Sequence, residues 1–170
     1  MLRKMKLVAA LALLAAVVGA RADDRKPGEE PFNDVAFVQM AAMDGMHEVQ
    51  LGQIAAAKAT REEVKEFAKT LVADHTKANE KLKAVAKAAN IPLPDKLDEK
   101  HQAHIDRFKD YKGENFDGDF LKHQVDDHQK AVALFTQASK DAKNAQVKDF
   151  ASKTLPTLQQ HLEMAKKLQK

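Results

Sequence analysis

Four long stretches of this chain space their apolar residues three and four apart, and between the second and third stands "NIPLP" at 90–94, where two prolines within three residues end any helix. No other feature narrows the fold as far. The spacing predicts helices over about 33–58, 61–89, 117–140 and 144–168, with a shorter amphipathic helix over about 95–111 in the connection after the second. Alternating β-branched runs are missing, and with one tyrosine and no tryptophan there is little from which to build a sheet. The predicted class is all-α. Two αα-hairpins joined by a long connection make a four-helix bundle with one crossover, the short extra helix lying within it. "EEVKEFAKTL" at 62–71 resembles "AQVKDFASKTL" at 145–155, and each opens the second helix of a hairpin.

The N-terminus reads differently. Residues 1–22, "MLRKMKLVAALALLAAVVGARA", place Arg3, Lys4 and Lys6 ahead of an apolar run from Leu7 to Val18 and then the small-x-small pattern Ala20-Arg21-Ala22. This is the pattern of a secretory signal peptide cleaved after Ala22. Its apolar run falls short of the roughly 20 residues of a membrane span, and no later stretch comes nearer, so the mature chain is expected to be exported and not membrane-spanning. "DDRKPGEEP" at 23–31 is charged and broken by prolines. It reads as a flexible leader over 23–32, ahead of a bundle domain over 33–170. Removing the four basic residues of 1–22 from the 28 in the chain leaves 24 against 25 acidic ones, a net charge of −1. With no basic cluster interleaved with aromatics either, nucleic acid is not an expected partner. The absence of cysteine excludes disulfides and thiolate chemistry, so the domain must rely on its core.

At about 100° per residue, Val64, Ala68, Leu71 and Leu82 fall within about 60° of His75, which therefore sits mid-stripe on the second helix. The same holds for His128 among Leu121, Gln124, Val125, Ala131, Val132 and Phe135, and for His161 among Val147, Phe150, Leu158, Ala165 and Leu168. On the first helix the small and apolar face of Phe37, Ala41, Gly45, Leu51, Gly52 and Ala55 is centred on Glu48. Glu48 and His75 are equally far from the first turn, and His128 and His161 from the "DAKNAQ" turn, so antiparallel pairing brings all four to one level. His47 and His123 fall toward the flanks of their helices, while His101 and His104 lie on the connecting helix.

A buried carboxylate and three imidazoles cost several kcal/mol unless they pair with one another or with a cation. One reading is a polar network that only fixes register in a structural or interaction protein of the cell envelope. The other is a transition-metal site of Glu48, His75, His128 and His161, suited by ligand type to zinc, copper, iron or manganese, with Gln124 and Thr157 as supporting partners. A metal-dependent oxidoreductase is a third reading. Met40, Met43 and Met46 look like a soft-metal box, yet Met43 and Met46 lie about 140–160° from Glu48. They are expected to pack on a flank or at a subunit contact of a homo-oligomer. Asp126 and Asp127 read as a solvated pair, and no phosphate loop, nucleophile elbow or paired-carboxylate signature is present.

"EVQLGQIAAAKA", "VKEFAKTLVADHTKANEKL", "FDGDFLKHQVDDHQKAVALF" and "VKDFASKTLPTLQQHLEMAKKL" together resemble the bacterial family called domain of unknown function 4142. The signatures are the Asp74-His75 pair, the Gln124 to His128 spacing, and Leu155-Pro156 with His161-Leu162. The resemblance implies a ferritin-like four-helix domain in the periplasm or associated with the outer membrane, and it implies no established activity. Di-iron enzymes of ferritin-like fold carry Glu three residues before His on two helices. Here Val72 precedes His75 and Leu158 precedes His161, which argues against a carboxylate-bridged di-iron centre.

Overall fold

The computed structural model describes residues 31–170; the expected signal peptide and nearly all of the expected leader lie outside the described residues. Five helices follow in order: α1 (Asp34–Lys58), α2 (Glu62–Ala88), α3 (Glu99–Lys109), α4 (Phe116–Asp141) and α5 (Ala145–Gln169). No strand occurs among the described residues. Each helix falls within a few residues of the span that periodicity predicts. The pairs α1 with α2 and α4 with α5 form the two hairpins, which meet through α2 against α5 and α1 against α4; α3 rests on α1.

Local chemistry sets the boundaries. Asn33 caps α1 by accepting from the Ala36 amide at 3.0 Å, Asp98 caps α3 through His101, and Asn144 caps α5 through Gln146 and Val147. Arg61, at the start of α2, supplies no side-chain cap. The cap comes instead from the first turn of α4, where the Asp117 carboxylate accepts from the Thr60 and Arg61 amides at 2.9 and 2.8 Å and from the Thr60 hydroxyl at 2.9 Å. One residue thus stitches the two hairpins together. The end of α2 turns through Asn90, whose φ of 54° is left-handed. The Asn90 amide bonds to the Lys87 carbonyl and the Ile91 amide to that of Ala86, closing the helix before Pro92.

Glycine lets α1 lie close to α2. A Cβ at Gly52 would come within 2.8 Å of Val72 Cγ2 and 3.1 Å of the Ala68 carbonyl oxygen. No side chain fits there at the present helix separation.

The core is divided. One apolar cluster gathers Phe37, Val38, Leu82, Phe135, Phe150 and Leu158 with their neighbours, and Phe32 adds its ring 5.8 Å from Phe37. The other gathers Leu51, Phe67, Leu71, Phe108, Phe120 and Leu121. Burying a side chain of this size contributes roughly 1.5–3 kcal/mol, so each cluster is a core in its own right. Between them in sequence, on all four long helices, stand buried polar residues: His47 and Glu48, His75, Gln124 and His128, and His161. The bundle therefore has a polar layer with an apolar core on either side.

Candidate metal centre

His75, His128 and His161 come from α2, α4 and α5, and each offers a ring nitrogen within 4.8 Å of the others. Their ring centroids form a nearly equilateral triangle with edges of 5.6, 5.4 and 5.3 Å. All three are buried. Burial holds His128 down to about 4. It pushes His75 well below the ordinary histidine range, with His128 and His161 adding to the shift. For His161 burial again lowers the value, partly opposed by Asp74. These are neutral imidazoles near pH 7, each with one N–H and one lone pair.

Hydrogen-bond partners decide which nitrogen carries the proton. His128 Nδ1 lies 3.1 Å from the Gln124 carbonyl oxygen, which only accepts, so Nδ1 donates and Nε2 keeps the lone pair. His161 Nε2 lies 3.0 Å from Asp74 Oδ2, so Nε2 donates and Nδ1 keeps the lone pair. Those two lone pairs, on His128 Nε2 and His161 Nδ1, face each other at 3.3 Å with no proton between them. The third ring adds His75 Nε2, buried and without a hydrogen-bond partner. Outer partners thus turn the proton-free nitrogens of His128 and His161 toward each other, the arrangement that carboxylate and carbonyl groups impose on metal-binding histidines.

Glu48 is buried at the same level, and burial raises its carboxyl to about 7 against the hydrogen bond that Gln124 Nε2 donates to Oε2 at 2.9 Å. Its carboxylate groups by distance with His47, His123 and Asp127 and not with the triangle of histidines. Of the four expected ligands, three converge and Glu48 belongs to the neighbouring group. Gln124 supports both Glu48 and His128. Thr157, expected beside His161, forms no side-chain hydrogen bond to any of the histidines; Asp74 holds that ring instead. Asp74 sits next to His75 in the pair the sequence singles out, but its position one residue off the stripe hid its reach to His161.

The flank histidines also converge. His47, His104 and His123, from α1, α3 and α4, bring one nitrogen each within 4.8 Å of one another. Burial, then the neighbouring histidines, hold His47 down to about 3; burial and His123 hold His104 to about 4. The expectation of a solvated Asp126-Asp127 pair fails for Asp127, which is half-buried with Oδ2 3.0 Å from His123 Nε2. Burial alone would raise its carboxyl, but His123 and Lys130 beside it outweigh that and hold it below the usual range. Asp44, on the same side, is pushed up to about 6 by burial despite His101 nearby. Residues of both groups line one cavity of about 800 Å³. Met43 and Met46 pack on the second apolar cluster, and Met43 Sδ accepts from the Asp98 amide.

The sequence matches the family described as Domain of unknown function (DUF4142) over residues 19–168. No curated protein matches it. Among solved structures, a DUF305 fragment from Deinococcus radiodurans is 15% identical with a TM-score of 0.69, covering 82% of this chain and 98% of its own. CopM in the Cu(I)-bound form is 16% identical with a TM-score of 0.67, covering 80% of this chain and 94% of its own, and CopM in the Ag-bound form, obtained by soaking, is 18% identical with a TM-score of 0.64 over the same shares. At such identities the likeness is one of fold: a helical bundle. No described helix is long and apolar enough to cross a membrane. The chain belongs to the DUF4142 family.

Proposed function

We propose that this member of the DUF4142 family sequesters a transition-metal ion through His75, His128 and His161, with Glu48 as the nearby carboxylate. The observation that carries the reading is the pair of lone pairs facing each other at 3.3 Å. In a purely structural network one of those nitrogens would hold a proton and donate to the other. Here the Gln124 carbonyl and Asp74 draw both protons to the far side of the rings. A cation bound to both nitrogens removes the repulsion. The spacing agrees, because two nitrogens bound tetrahedrally at 2.0–2.1 Å stand about 3.3–3.4 Å apart.

Neutral imidazoles favour copper and zinc over manganese and iron in the general order of divalent affinities. The copper- and silver-bound forms of CopM share the bundle fold and support the same class of ion. Three buried imidazole ligands whose nearest carboxylate, Asp74, is engaged in holding His161 suit storage, sequestration or protection of the cell envelope better than turnover. We read the bundle as ferritin-like in type without a di-iron centre, exported by the signal peptide of residues 1–22. Native mass spectrometry of untagged protein tests the site: a bound ion in the wild type, lost from His128→Gln with helical content retained, is expected. Metal-free protein that binds neither zinc nor copper at micromolar concentration sinks the reading.

A further inference from the structure

The second group of histidines is not needed by the inner triangle, and it is built from different parts of the chain. His47 and His123 are the sequence neighbours of Glu48 and Gln124, so on α1 and on α4 one residue of each adjacent pair faces the inner layer and the other faces α3. From α3, His104 completes the group: its Nδ1 stands 2.9 Å from His47 Nε2, and its ring lies 4.1 Å from that of His123, tilted by 37°. His123 Nε2 is buried without a hydrogen-bond partner, although Asp127 Oδ2 is 3.0 Å away. Leucines would seal a helix against a bundle flank at less cost than three imidazoles and a carboxylate.

We propose that His47, His104 and His123 form a second site for a divalent transition-metal cation, with the Asp127 carboxylate, which groups with His47 and His123, as its neighbouring anionic partner. Three imidazoles supply three of the four positions of a tetrahedral ion, and the carboxylate beside His123 supplies the negative charge. The carboxylate makes this site prefer a divalent ion, whereas the inner three histidines alone bring no charge. His104 and His123 are half-buried and the inner three are buried. An ion arriving from solvent therefore meets the outer group first, and both groups line the same cavity. His47 and His104 already share a hydrogen bond, so binding moves that proton to the far nitrogen of its ring, and the outer site is the weaker of the two. Because α3 contributes only through His104, an ion there ties α3 to both α1 and α4.

Zinc(II) titration of the untagged mature chain, followed by native mass spectrometry and by amide hydrogen exchange, tests this. Wild type takes two ions, and zinc slows exchange in residues 99–109. His104→Ala lies on the half-exposed helix and far in sequence from the inner ligands. It takes one ion, weakens the second binding step at least 100-fold, and loses the protection of α3. His128→Gln keeps the outer ion. A single ion lost from His104→Ala and retained by His128→Gln upholds the outer site and removes the inner one. A single ion lost only from His128→Gln, or two ions persisting in His104→Ala, overturns the outer site and leaves the inner one standing.

Discussion

Removing the Asp74 carboxylate separates a metal centre from a polar network, because the two make opposite demands on it. In Asp74→Ala the metal-free protein loses one hydrogen bond, from His161 Nε2 to Oδ2 at 3.0 Å. Asp74 is 42% exposed, so solvent screens the pairing, and its loss costs about 1 kcal/mol. The His161 proton is then free to move to Nδ1 and donate to His128 Nε2, 3.3 Å away, which returns most of that. Stability without metal should change by less than about 1 kcal/mol.

The metal-bound protein responds otherwise. Losing the partner that fixes a ligating histidine weakens metal binding about 10- to 100-fold, or about 1.4–2.7 kcal/mol. At zinc 100-fold above its dissociation constant the wild type gains about 2.7 kcal/mol; a 30-fold weaker variant gains about 0.9 kcal/mol. For a domain of this size the difference lowers the melting temperature with zinc by about 4–7 °C, with little change in chelator. Calorimetry with and without zinc, and competition against a chromophoric chelator, read both quantities. Zinc affinity within twofold of wild type, or a loss above about 2 kcal/mol in the metal-free protein, would mean that Asp74 serves a network and holds no ligand.

Other perturbations probe the frame and the protonation of the layer. Asp117→Ala should cost about 2–3 kcal/mol in denaturant unfolding at pH 7, since three donors from Thr60 and Arg61 lose their acceptor. Burial tends to raise that carboxyl, but those hydrogen bonds hold it below the usual range; its contribution is present above the unfolded value near 3.8 and fades as pH falls through the lower folded one, so the gap between variant and wild type must close in acid. Gly52→Ala should be destabilised despite better helix propensity, because Val72 and the Ala68 carbonyl block its methyl, whereas Gly45→Ala, which meets only the movable end of Asn79, should match or exceed wild type by calorimetry. Met43→Leu with Met46→Leu should cost less than about 1.5 kcal/mol and leave metal content by elemental analysis unchanged. Without metal, stability should fall from pH 6.5 to 5, because unfolded histidines protonate near 6.5 while buried His128 waits until about 4, costing about 2 kcal/mol for that ring alone at pH 5. Glu48, raised to about 7 by burial, opposes this by becoming cheaper to bury as pH falls from 7 toward 4.5, yet one carboxyl stands against several rings, so a metal-free protein more stable at pH 5 than at 6.5 would contradict the neutral layer.

The helices were legible because their signal is local and repeated: the stripe through Val64, Leu71, His75 and Leu82 marks a buried face whatever it packs on. The convergence of His75, His128 and His161 followed from the same stripes plus equal distances to the turns, a symmetry that antiparallel pairing converts into depth. What stayed hidden depended on rotation about a helix axis by less than periodicity resolves. Glu48 and His47 are about 100° apart, and whether the carboxylate meets the inner triangle or the flank depends on how far α1 rolls toward α4, which Gly45 and Gly52 set by letting α2 in close. His104 was hidden for another reason. The angle at which α3 crosses α1 is written in the loops on either side of it, and no periodic pattern records a crossing.

The division of the core bears on why the layer persists. A bundle with Phe37, Phe135 and Phe150 at one end and Phe67, Phe120 and Leu121 at the other already holds its four helices in register, so a polar layer is not required to specify the fold. Leucine at His75, His128 and His161 would join the two clusters into one continuous core. The chain instead spends two further groups, the Gln124 carbonyl and the Asp74 carboxylate, on directing protons away from the centre of the histidine triangle. Partners that only satisfied the rings would leave one proton inside to bridge His128 and His161. These leave none between His128 and His161, and that outward placement suits a cation bound to both.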